Sequence, residues 1–154
     1  MTALSAGPLH QTLARLEGRW EGEEEVFPNP WGPHGPARGR WDFRLDRARL
    51  ALIHDFTEER AGGYRFDAHG VLAVDPAAEE IVWFWFDSYG YPPLAPSRGG
   101  WEGDRLVLVK QTPRGAGRSV FTVAADHFVH EIASRPNGQA DFAPVMRGVY
   151  RRLG

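Results

Sequence analysis

The 154-residue chain contains no cysteine. That excludes a disulfide framework, a thiolate metal site and a thiol nucleophile. It contains a single lysine, Lys110, and its arginines are scattered among acidic residues rather than massed. With a formal net charge of -2, it lacks the basic patch that a nucleic-acid partner requires. No apolar stretch reaches the length of a membrane span, so no membrane partner is expected. The first residues, MTALSAGPLHQTLARLEG, show neither a basic start nor the apolar core of a secretory leader, and cytoplasmic residence is the expectation. His-x-His, HExxH, a Gly-rich phosphate loop and a serine-nucleophile elbow are all missing. No metal site is therefore expected unless distant strands assemble one.

What is present reads as a single β-rich domain, residues 1–154. Eighteen glycines and twelve prolines fall mainly between periodic segments, where they act as turn punctuation. One short helix is expected near the start. Ser5 or Gly7 caps it, Pro8 suits its first turn, Leu9, Leu13 and Leu16 share a face, and Gly18 ends it. Residues 19–27 place Trp20, Gly22, Glu24 and Val26 on one side. Residues 38–46 place Trp41, Phe43 and Leu45 on one side and Arg38, Arg40, Asp42, Arg44 and Asp46 on the other. Further strands are expected at 49–58, 63–74, 80–88, 97–103, 105–112, 116–124, 126–134 and 140–152. About ten short strands joined by hairpins favour an antiparallel up-and-down barrel, which removes its edges by closing. A two-layer sandwich is the competing architecture.

In such a meander every second connection lies at the same end. The two long Pro- and aromatic-rich loops, 27–37 and 88–97, then sit together at one mouth. The short turns close the other end, with the N-terminal helix as its plug. That arrangement is a ligand cup.

Three pieces carry a family resemblance: Gly18-Arg19-Trp20 after a short helix, Trp85-Phe86-Asp87-Ser88 with Gly90, and a closing Gly148-Val149-Tyr150. The first looks like the glycine-x-tryptophan opening of calycin barrels, the lipocalins and their relatives. From about residue 8 to residue 152 the chain resembles the bacterial domain-of-unknown-function family numbered 1579. The resemblance implies a lipocalin-like β-barrel and no established activity. Some related barrels carry haem on a histidine of the last strand. Here that strand reads DFAPVMRGVYRRLG and has no histidine, so no cofactor is expected, although Met146 or His130 remain alternative approaches to an iron.

Strand 80–88 is apolar on both faces. Placing Trp83 and Trp85 inside brings Asp87 to the open mouth and leaves Val82, Phe84 and Phe86 outside; the reversed parity would expose the tryptophans instead. An external stripe of this kind is either covered by the helix or a loop, or forms a homodimer interface through Phe84 and Phe86. Glu24, Trp31, His34, Asp87, Ser88, Tyr89 and Tyr91 all approach the mouth. Asp87 and Ser88 have a plainer role too, capping the turn through backbone amides. His54 and His130 face inward, where each is either a hydrogen-bonded core residue or a base or ligand. His10, His34 and His69 are expected at the surface.

Three functions fit: a carrier or sensor binding a small, largely apolar ligand at Glu24, Trp31, His54, Trp83, Trp85, Asp87, Tyr89, Tyr91 and His130; a hydrolase or isomerase using a carboxylate–histidine pair; and a structural homodimer. The first is favoured because no catalytic motif accompanies the cup.

Overall fold

The computed structural model describes residues 4–154. A one-turn helix, α1 (Pro8–Gln11), runs into a 3-10 turn, Thr12–Leu16. Ten strands follow: β1 (Gly18–Val26), β2 (Gly35–Leu45), β3 (Ala51–Arg60), β4 (Tyr64–Asp75), β5 (Glu80–Asp87), β6 (Ser97–Glu102), β7 (Arg105–Thr112), β8 (Gly115–Val123), β9 (His127–Pro136) and β10 (Ala143–Arg152). Each pairs antiparallel with its chain neighbour, and β10 returns to pair with β1, giving a closed barrel rather than a sandwich.

Alternation sets which side chains fill the interior. Trp20, Glu24 and Val26 of β1, Trp41 and Phe43 of β2, and Leu52, His54 and Phe56 of β3 are buried. On β5, Trp83 is buried and Trp85 packs against the core, whereas Phe84 and Phe86 stay 40% and 48% exposed, so the tryptophans are the inner set. Outside, the glutamates of β1 meet the arginines of β2. Arg38 and Arg40 each reach Glu21 at 3.1 Å, in the register Glu21↔Arg40. Such exposed pairs contribute a few tenths of a kcal/mol each and chiefly fix register.

The N-terminal segment plugs the end bearing the short turns. Leu13 and Leu16 are each 1% exposed. Trp101 Nε1 donates to Thr12 Oγ1 (2.9 Å), Trp20 Nε1 donates to the Leu16 carbonyl (2.9 Å), and Arg15 donates to the Gly103 carbonyl (3.1 Å). Arg152 crosses the Trp20 face at 4.1 Å and bonds the Glu17 carbonyl at 2.6 Å. His10, expected at the surface, is instead buried. Its Nδ1 accepts the Gly7 amide (3.2 Å), so a ring caps the helix where glycine has no side chain to do so.

The barrel wall is incomplete in one place. β6 pairs with β5 only over Ile81–Trp83, and its pairing with β7 ends at Val109. Phe84–Asp87 of β5 and Gln111–Thr112 of β7 therefore have no β6 residue between them.

Candidate functional site

A cavity of about 400 Å³ occupies the half of the barrel beneath the long loops. Trp41, Phe56, Phe66, Trp83 and Trp85 form an aromatic wall on β2–β5. Most of their rings meet edge-on or tilted, with Trp83 and Trp85 5.2 Å apart at 82° and Trp41 and Phe56 4.4 Å apart at 36°, while Phe66 lies near-parallel to Trp85 at 22°. The opposite wall, on β6–β9, is more polar, with Ser97, Lys110, Ser119, His130 and Ser134.

Of the residues singled out in the sequence, Trp31, Trp83, Trp85, Asp87, Tyr89 and His130 line this space. Glu24, His54 and Tyr91 do not. Tyr91 is 81% exposed on its loop. His34 is also exposed. His54 lies behind the wall, its Nε2 accepting the Trp83 indole N–H at 2.9 Å. It fits there because Gly70 faces it on the neighbouring strand, where an added Cβ would come within 2.4 Å of the ring. Burial holds His54 near a pKa of about 3, so it accepts as neutral imidazole.

His130 is different. It is 1% exposed, stacks on Phe121 at 4.2 Å, and neither ring nitrogen has a hydrogen-bond partner among the described residues. Burial, then the His54 ring, lower its pKa to about 3. The expectation of a hydrogen-bonded core histidine thus fits His54 but not His130. Among the described residues neither ring bonds a carboxylate, and no three His, Asp or Glu side chains converge as a metal site.

Glu24 lies deeper than expected, out of the cavity, beside Tyr150. The Tyr150 hydroxyl donates to Glu24 Oε2, while Glu58 on the cavity wall is paired with Arg60. Gly39 leaves the space Glu24 fills; a Cβ there would come within 2.4 Å of its carboxyl. Burial first, and the Glu58 carboxylate second, push Glu24 up to about 9, so it is protonated at neutral pH. Glu58, the last residue of the expected strand, and Arg60, two residues beyond it, both escaped the sequence reading. The β3 alternation that turns His54 and Phe56 inward, carried two steps further, reaches both.

The mouth is tied together at one carbonyl. Tyr89 Oη and Arg60 both donate to the Trp31 oxygen, the latter at 3.3 Å, and Tyr64 Oη donates to Tyr89 Oη at 3.0 Å. Burial and Tyr64 push the Tyr89 phenol up to about 12, which keeps it a donor. Asp87 accepts from Trp85 Nε1 (2.9 Å) and the Tyr89 amide (3.0 Å), and Ser88 Oγ accepts the Asp67 amide (3.1 Å). Asp87 caps the turn and fixes the tilt of a wall tryptophan, whereas Ser88 bonds across to β4 rather than to a turn amide.

Among the described residues no helix is long and apolar enough to cross a membrane. No curated protein matches the chain. Its fold is similar to that of an S-type phycobiliprotein lyase from Guillardia theta, with 11% identity, a TM-score of 0.66, and 94% of this chain and 92% of that one covered. It is also similar to that of EF1p2_mFAP2b bound to DFHBI, with 12% identity, a TM-score of 0.51, and 94% and 99% covered. At these identities the likeness concerns the fold alone. The family described as "Protein of unknown function (DUF1579)" matches residues 5–152, and the chain belongs to it.

Proposed function

We propose that the barrel binds a small, flat, largely apolar molecule in the open-end cavity, as a carrier or sensor. The observation that carries this reading is a space of about 400 Å³ walled by tryptophan and phenylalanine rings, with an imidazole in its wall that has no partner among the described residues. The volume lies in the usual range for small-molecule sites, roughly 300–1,000 Å³. An unbonded buried imidazole is a standing penalty on the order of 1–3 kcal/mol that a ligand hydroxyl or carbonyl would relieve. That a barrel of similar fold holds DFHBI supports the same use of the interior. The reading needs no cofactor; we further propose cytoplasmic residence, which cell fractionation checks.

Native mass spectrometry of protein taken directly from cells, set against its denatured mass, tests the proposal. An adduct lost on denaturation is expected and weighs the ligand. A bare mass, together with no response to any apolar aromatic probe, would sink the reading.

A second reading concerns the outer face of β5. Phe84 and Phe86 are exposed there, with Tyr91 and Leu94 exposed on the adjoining loop. We infer a two-fold homodimer through this stripe. Sedimentation analysis is expected to show a dimer that F84S/F86S converts to a monomer; a monomeric parent protein rejects it.

A further inference from the structure

The only lysine of the chain stands in the wall of this cavity. Lys110 follows Leu106 and Leu108 on the inner face of β7, both fully buried, and is itself half-buried. Of the chain's eighteen cationic side chains, it and Arg60 are the two that line the cavity, and Arg60 is engaged by Glu58. Lys110 has no salt bridge or side-chain hydrogen bond among the described residues. A lysine at a rim often extends its ammonium into solvent. Here its surroundings are arranged for something else.

On one side Lys110 pairs with Gly117 of β8, and Gly117 pairs in turn with Ser134 of β9. A Cβ built on Gly117 meets nothing within 4 Å, so ammonium and hydroxyl flank an open notch. On the other side, continuing the Arg98↔Val109 register by one residue brings Ser97 of β6 across from Lys110. Ser119 is next inward on β8. All four residues line the cavity. None of the three serine hydroxyls makes a hydrogen bond among the described residues. The result is one ammonium set among donors that have no other work.

We infer that this wall, Lys110 with Ser97, Ser119 and Ser134, seats the carboxylate of an apolar, aromatic monoacid whose body lies against Trp41, Trp83 and Trp85. One cation without an anionic partner matches one negative charge. A dianion is disfavoured because Glu58 and Asp87 share the cavity. Asp87 does not compensate Lys110 structurally, since its oxygens take the Trp85 indole and the Tyr89 amide. An ammonium in a partly desolvated, aromatic-walled space makes a stronger charge-assisted bond than one in bulk water.

The inference rests on the cavity reading and is tested with two probes of equal shape. Calorimetric titration with naphthalene-2-carboxylate and with naphthalene-2-carboxamide at neutral pH is expected to show the carboxylate bound about tenfold more tightly. K110Q should erase that preference while retaining amide binding, and K110R should keep it. Reductive ¹³C-methylation, which leaves the charge in place, gives Lys110 its own dimethylamino resonance. That resonance should shift with the carboxylate and not with the amide. Equal affinities in the parent protein, a preference that survives K110Q, or an unmoved Lys110 signal at saturating carboxylate would each overturn the inference while leaving the cavity reading intact. Binding of neither probe overturns both.

Discussion

The two ends of the barrel use the same alternating strands and finish them differently. At the plugged end each large polar-tipped ring has a fixed partner: Trp20 bonds Leu16, Trp101 bonds Thr12, and His10 caps the helix. At the loop end Trp31 is 47% exposed, and among the described residues His130 has no partner and Lys110 no counter-ion. Buried polar groups are ordinarily satisfied, and the exceptions gather where something else is meant to complete them. Stability is concentrated at one end, and unfinished hydrogen bonding at the other.

The sharpest test of this division is a pair of truncations. Trp20→Ala should destabilise by about 3–5 kcal/mol, read as the shift in a urea unfolding midpoint, because it removes a fully buried ring and its bond. Trp85→Ala, on the cavity wall and partly open, should cost about 1–2 kcal/mol and instead weaken aromatic probe binding. Equal losses from both would erase the distinction.

Next in size is Glu24→Gln. The folded chain keeps a proton on Glu24 up to about pH 9, whereas the unfolded chain releases it near the ordinary carboxyl value of 4.5. Folding therefore takes up a proton between those pH values, and stability falls as pH rises through them. The amide removes that slope. A gain of about 1–3 kcal/mol at pH 6, vanishing toward pH 4.5, is expected from chemical denaturation; an unchanged slope would show that Glu24 is already ionised in the fold.

A smaller effect runs the other way. His130 stays neutral in the fold down to about pH 3, while an unfolded histidine protonates near 6.5. Stability is full above 6.5 and declines as pH falls from there toward 3. His130→Phe should soften this acid limb by about 1 kcal/mol at pH 5. Parallel acid limbs for parent and variant would mean that His130 finds a partner in solution.

Much of this was legible in the sequence because burial has a period of two in strands. Trp41-x-Phe43 and Leu52-x-His54-x-Phe56 each announce an inner face, and turn residues set the strand count. The parity of β5 was harder, since Ile81 to Phe86 is apolar on both sides. Only Asp87, a capping residue at the end of the tryptophan face, separates the two choices. Lys110 was hidden for the same reason, because Val107 and Val109 are as apolar as Leu106 and Leu108. Cavity size was not legible at all. Tryptophans 20, 41, 83, 85 and 101 have enough bulk to fill a small barrel; Trp20 and Trp101 turn toward the helix plug, and the space beneath the loops follows from that. Nor did any local pattern place a histidine under Gly7, since its burial depends on how the plug docks.

The short pairing of β6 gives the molecule a mechanical property that a complete barrel lacks. A fully hydrogen-bonded ring of strands resists widening, because any increase in girth must break a ladder. Here Phe84–Asp87 and Gln111–Thr112 are joined by no ladder, so the wall is a cuff with a slit rather than a tube. Spreading along that line displaces the loop 88–96, with the Tyr89 bonds to Trp31 and Tyr64, but breaks no ladder between β5 and β7. The slit has Trp85 on one lip and Lys110 at its base, so whatever widens it passes beside both the aromatic wall and the cation.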